Sequence, residues 1–222
     1  MARTTPLPPR RSTAHAVLDS GGDLMRIGGL ADALFAIVLT LLVLELRLPE
    51  AAYTSDGDLV AALLALLPVI YAYVLTFAVG SLHWIAHHRI VAALERYDRG
   101  LLMWNLVFLG TVSGLPFSSA VVGRNGNLFV GWTLYAANIV VIGVVLALLV
   151  HHAIRRRLFR EEVPRATTSL LRLRALAAPT VFLLSIPIAL LSTTAAELTP
   201  LLLFATNAVL MARFRSAETE GR

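Results

Sequence analysis

The sequence predicts an all-α, polytopic membrane protein with six transmembrane helices per subunit. Three observations carry that prediction. The 222 residues are 57% hydrophobic and only 15% charged, with a mean hydropathy of +0.74, where an ordinary soluble domain is roughly 45–50% apolar and about 25% charged. The apolar residues fall into six runs, each to be measured against the ~20 residues that a helix needs to cross a bilayer. The arginines gather in alternate connections between those runs, which weights one side of the chain with positive charge.

Residues 1–22 (MARTTPLPPRRSTAHAVLDSGG) are rich in proline, glycine, arginine and small polar residues and read as a flexible cytoplasmic tail. Arg10 and Arg11 are not followed by the apolar stretch of about 7–15 residues that an export signal needs. Residues 23–213 are expected to form the six-helix transmembrane domain, and 214–222 a cytoplasmic C-terminal tail. Asp23 can cap the first helix. Span 1 runs from about Gly28 to Leu48 and is stopped by Pro49. Span 2 covers about Leu59–Ile85 with Pro68 inside, and span 3 about Leu101–Val122 with Pro116 inside. Span 4 covers about Leu128–Val150. Span 5, about Leu176–Leu191, is short and holds Pro179 and Pro187; span 6, about Leu198–Ala212, is short as well. Proline is tolerated in membrane helices because neighbouring groups satisfy the freed carbonyls.

The N-terminal tail to Arg26, connections 2–3 and 4–5, and the C-terminal tail hold seventeen of the nineteen arginines; Arg47 and Arg124 are the other two. This asymmetry places both termini in the cytoplasm and makes the number of spans even. The run Arg155, Arg156, Arg157 and Arg160 then serves topology and headgroup contact rather than nucleic acid, despite a pI near 10.4. There is no cysteine and therefore no disulfide or thiolate metal site. Gly28-Gly29 is too small for a phosphate loop, and no Ser/His/Asp arrangement occurs, so an enzyme is not expected.

Within span 1 (RIGGLADALFAIVLTLLVLEL, 26–46) an ionisable residue, Asp32, sits near one end and a hydroxyl, Thr40, near the middle. A charge at the centre of a membrane helix costs about 2.5–3.5 kcal/mol, and less toward the ends. Such a group is a functional candidate by default. Ile37, Thr40, Leu41 and Leu44 are spaced to share one helix face. Asp32 lies about 140° away from Ile37 and points elsewhere. A ring of branched apolar side chains about a symmetry axis can gate ions by dewetting, and a hydroxyl ring can partly replace hydration; ordinary helix packing or lipid contact would produce the same stripe.

Polar residues cluster at the cytoplasmic ends of three spans: Arg26 and Asp32, then His83, Trp84, His87 and His88, then Trp104 and Asn105. Together they can form a network that offsets the desolvation of Asp32 and fixes helix 1 in register. His83 and His87 lie four apart on one face, and His151-His152 end span 4 on the same side, which admits haem or metal ligation. No carboxylate is spaced to complete a metal site, and no cofactor is expected.

The segment Arg26-Ile-Gly-Gly-Leu30-Ala31-Asp32, followed by ALFAIVLTLLVLEL, resembles the Arg-x-x-x-Phe-Ser-Asp signature and first helix of the bacterial transmembrane-protein-175 family, relatives of the lysosomal potassium channel. The resemblance continues in HWIAHHRIV (83–91), LLMWNLVFLGTVSGLPFSSAVVG (101–123) and LYAANIVVIGVVLALL (134–149), so it covers spans 1–4 by motif and spans 5–6 by hydropathy and length. It implies a non-canonical tetrameric cation channel, a homotetramer in the bacterial inner (plasma) membrane that favours potassium over sodium and lacks a glycine-rich carbonyl filter. By match, Ile37, Leu41 and Leu44 form the constriction and gate, and Thr40 the selectivity layer. Arg26 and Asp32 join a structural network drawn from His83, Trp84, His87, Trp104 and Asn105. Potassium is the permeant species; the bilayer and the chain's own copies are its partners. Leu30 and Ala31 depart from the family Phe and Ser. A six-helix redox protein with haem on His83, His87 or His151, and a secondary transporter, are the alternatives from other classes.

Overall fold

Proline and glycine decide where the helices of this chain break. A computed structural model describes residues 21–50 and 52–201, and the described residues are dominated by helix. Helix α1 spans Gly21–Leu41 and tightens into a 3-10 turn at Leu42–Glu45, so regular helix ends before Pro49. Span 2 is two helices. The short α2, Asp56–Ala65, is capped by Ser55, whose hydroxyl accepts from the Asp58 amide. The long α3, Leu67–Ala93, carries Pro68 in its first turn, where a missing N–H costs nothing. Pro68 therefore starts a helix instead of lying inside one.

Span 3 divides in the same manner into α4, Arg99–Val112, and α5, Leu115–Asn125, with Pro116 in the first turn of α5. The break frees backbone carbonyls in mid-membrane. Asn138 of the next helix covers it: its amide donates to the Thr111 carbonyl at 3.3 Å and its oxygen accepts from the Ser118 hydroxyl at 3.0 Å. Helix α6 spans Phe129–Arg155 and α7 spans Arg165–Leu191. Span 5 is thus not short. Its first turns hold Arg165, Arg172 and Arg174, which lie in helix rather than in a loop, and their polarity hides that helix from a hydropathy reading. A final short helix, α8, covers Thr193–Leu198. Span 6 lies outside the described residues beyond 201, as do the two tails apart from residues 21 and 22.

Among the described residues, five helical segments are long and apolar enough to cross a membrane: Leu24–Glu45, Leu67–Ala93, Arg99–Asn125, Phe129–Arg155 and Ala166–Leu191. Helix α6 is the centre of the bundle, and its pairing with α7 is the most extensive. Trp132 and Tyr135 of α6 are fully buried against Phe182 of α7, with ring centroids 6.2 and 5.7 Å apart. The Trp132 indole N–H donates to Ser185 at 3.0 Å, so the cluster is satisfied as well as apolar.

Gly143 lets these two helices meet. Pro179 cannot donate to the Ala175 carbonyl one turn earlier, and that carbonyl and the Pro179 ring face the Gly143 backbone. A Cβ at position 143 would lie 2.5 Å from the Pro179 ring and 3.0 Å from the Ala175 oxygen. Small residues at such crossings are how membrane helices gain packing. Gly143→Ala is expected to cost about 1–3 kcal/mol by overpacking, lowering the thermal midpoint in detergent by roughly 2–4 °C per kcal/mol. An unshifted midpoint would show that the helices are not in contact there.

Candidate functional site

Helix α1 has two apolar faces. Ile27, Ala31, Phe35, Val38 and Leu42, at steps of four and three, are buried against the bundle. On the other face Ile37 is 60% exposed, Leu41 41% and Leu44 51%, and Thr40 lies exposed among them. Leu44 belongs to the 3-10 turn that continues the helix. The Thr40 hydroxyl donates back to the carbonyls of Ala36 and Ile37, both at 2.8 Å. With its proton held inside the helix, the oxygen keeps acceptor capacity for the exposed face. Such back-bonding competes with the regular ladder, and the helix tightens two residues later. At the end of the turn, Glu45 accepts from Arg124 at 2.8 Å and ties α1 to the end of α5.

The other end of α1 is held by polar contacts. The Trp84 indole N–H of α3 donates to Asp32 at 2.8 Å. His87, one turn further along α3, lies 2.7 Å from the Asn105 side-chain oxygen of α4, which accepts from the ring N–H. The His87 ring stacks on Phe108 at 5.1 Å, and Phe108 meets Phe35 of α1 at 6.0 Å. A continuous layer thus joins α1, α3 and α4 behind the exposed stripe. Trp104 is partly buried against the hydrophobic core. Arg26 is exposed on α1, six residues before Asp32. His83 turns elsewhere: its Nδ1 lies 2.9 Å from the Val79 carbonyl, and the ring borders a cavity shared with α7. At the two departures from the signature, Ala31 is fully buried and Leu30 is 48% exposed. Asp32 also borders an open cavity of about 780 Å³ with Gly28, His88, Glu95 and Arg160. Among the described residues, no three metal-ligating side chains converge.

A second polar centre escaped the sequence reading. Asp98 caps α4, accepting from the Leu101 amide at 2.7 Å. It also meets His152 Nε2 at 2.8 Å and Arg156 Nε at 3.3 Å, both at the end of α6. Gly100 makes room for this contact, because a Cβ there would lie 2.4 Å from the His152 ring. Beside it the two arginine-bearing connections pair as strands do: the Glu95 amide donates to the Leu158 carbonyl at 2.9 Å and the Arg160 amide to the Ala93 carbonyl at 3.2 Å. Arg157 takes a positive φ of 54° to make that turn. The signal in the sequence was an aspartate just before an apolar helical run, the ordinary mark of an N-cap.

Burial pushes the Asp98 carboxyl up, but the Leu101 amide, His152 and Arg156 together outweigh it and hold it below the usual carboxylate range. A depressed folded-state value stabilises fully above the unfolded value, about 3.9, and that stabilisation is lost as pH falls through the folded value. The difference in thermal midpoint between the parent and Asp98→Asn is therefore expected to hold from neutral pH down to about 4 and to shrink below it. A difference that stays constant to pH 3 would remove the carboxylate from the clasp.

The comparisons with known proteins fall on this same region. The family model described as the endosomal/lysosomal potassium channel TMEM175 matches residues 26–116, which contain the α1 stripe and the layer behind it. Residues 26–116 are thus similar to the TMEM175 family. A TMEM175 homolog from Chamaesiphon minutus, described as a lysosomal potassium-selective channel homolog, has a crystal structure that superimposes with a TM-score of 0.74 at 26% identity, covering 85% of this chain and 97% of that one. A potassium channel of Chamaesiphon minutus is 34% identical over 131 residues, or 58% of this chain and 64% of its own length. One from Streptomyces collinus is 35% identical over 99 residues, 45% of this chain and 47% of its own. The chain thus spans about half to two thirds of the length of these curated relatives. The TMEM175 match includes the Arg26–Asp32 segment and the first helix, and the structural likeness extends the fold past residue 116.

Proposed function

We propose that this chain is one subunit of a homotetrameric potassium channel in a bacterial plasma membrane, with both termini cytoplasmic and α1 lining the pore. The observation that carries the reading is the second apolar face of α1, which the subunit's own bundle leaves uncovered while the opposite face is buried. Around a four-fold axis, Ile37, Leu41 and Leu44 close a narrow apolar passage that excludes water and ions until it widens. Thr40 places a ring of oxygen acceptors between the Ile37 and Leu41 layers, where they replace part of a cation's hydration shell. Potassium, with its weaker hold on water, is preferred over sodium by a modest margin. The Asp32–Trp84 and His87–Asn105 contacts hold α1 in register from behind. The match of residues 26–116 to the model of a channel family and the potassium-channel names of the relatives support this reading.

The absence of cysteine makes the test clean. Leu41→Cys introduces a single thiol on the stripe. Oxidation is expected to cross-link subunits into dimers, and a small thiol reagent to block potassium flux from vesicles. Efficient labelling with neither a cross-link nor a block would place the stripe against lipid.

A further inference from the structure

The face of α3 turned away from α1 borders a second cavity, about 140 Å³, between α3 and α7. Its walls are apolar, with Leu82, Ile85 and Ala177 among them, and two arginines, Arg89 and Arg174, share it. His83 lines it too. This ring is 4% exposed, and its Nε2 is buried with no hydrogen-bond partner, while Nδ1 is occupied by the Val79 carbonyl. Two guanidinium groups on one small, largely apolar space give it a positive potential that suits an anion. Ile85 is 38% exposed, so the apolar wall continues onto the outer surface of the helix. Both arginines lie on the arginine-rich side of the chain, the side that anionic headgroups favour.

We propose that this cavity is a binding site for an anionic phospholipid. The phosphodiester lies between the guanidinium groups of Arg89 and Arg174, which suit phosphate in planar, forked geometry. An acyl chain follows the wall formed by Leu82, Ile85 and Ala177. A hydroxyl of the lipid, or a water bound with it, supplies the donor that His83 Nε2 lacks. A zwitterionic headgroup is disfavoured, because its own cation adds a third positive charge. The site joins α3, which carries Trp84 and His87 on its other side, to α7, so occupancy bears on the helix that holds α1. The proposal needs the membrane-spanning reading but not ion conduction, and its readout is binding.

The test is lipid retention by the intact protein in detergent, read by native mass spectrometry and by the thermal shift on titration. The probes are phosphatidylglycerol, phosphatidylcholine and inorganic phosphate. Phosphatidylglycerol is expected to bind and stabilise, phosphatidylcholine to do so far more weakly, and inorganic phosphate not to substitute for it. Arg89→Gln/Arg174→Gln should weaken phosphatidylglycerol on the order of thirtyfold. The charge-matched pair Arg155→Gln/Arg172→Gln, outside the cavity, should leave binding unchanged. Ala177→Leu fills the space without touching a charge and should weaken binding as well, so either variant decides if the other misfolds. Equal binding of the two lipids, equal loss in the charge-matched control, or full substitution by inorganic phosphate would each overturn the proposal; the last would assign the cavity to a free anion.

Discussion

Replacing Ile37 or Leu41 by asparagine is expected to raise potassium leak through the reconstituted protein on the order of tenfold and to bring the potassium and sodium rates closer together. Each layer of a four-fold constriction would change four times over. Burying a branched aliphatic side chain away from water is worth about 1.5–3 kcal/mol, and a barrier of about 1.4 kcal/mol is tenfold in rate. In the proposed pore, an amide would wet a passage that an apolar ring would keep dry. Selectivity should fall with the barrier, because a passage that admits water no longer strips the ion at Thr40. Stopped-flow or electrode measurements on vesicles with matched protein content read both effects. Unchanged currents in both variants would mean that these side chains do not meet at an axis.

The next largest effect is expected at the opposite end of α1. Asp32→Ala leaves the Trp84 indole N–H without its acceptor, which costs about 1–3 kcal/mol per subunit where water cannot replace it. Trp84→Phe leaves the carboxylate without its indole donor and should cost about as much or less, because Asp32 borders the open cavity, where water can take the place of the indole N–H. Either change loosens α1 relative to α3 in every copy of a tetramer. The fraction eluting as a tetramer in mild detergent should fall sharply in both single variants. In Asp32→Ala/Trp84→Phe the orphaned partner is gone, so the double loss should be smaller than the sum of the single ones. Clean tetramers and normal flux from Asp32→Ala would defeat this role.

Much of α1 was legible in the sequence, because a stripe at helical spacing and an aspartate in an apolar run are local signals. Ile37, Leu41 and Leu44 share a face by arithmetic alone, and the exposure of that face in the subunit follows the same period. The partner of Asp32 was not legible. Trp84, His83 and His87 all lie within five residues of one another, and only the rotation of α3 against α1 separates the one that reaches Asp32 from the one that faces α7. The helix breaks were partly legible. Pro68 and Pro116 mark them, but proline both interrupts and starts helices, and the sequence does not say which. The first turns of α7 were hidden because Arg172 and Arg174 look like loop residues to hydropathy. Asn138 gave no local sign at all: its work is to cover a break in another helix, and that is a tertiary fact.

The central claim is that this chain conducts potassium along α1. The most direct measurement is flux from potassium-loaded liposomes containing the purified protein, calibrated with valinomycin and repeated with sodium. The account predicts potassium release above protein-free vesicles, faster than sodium, and altered by Ile37→Asn. No release of either ion from vesicles shown to contain assembled protein, in the parent and in Ile37→Asn alike, would contradict it.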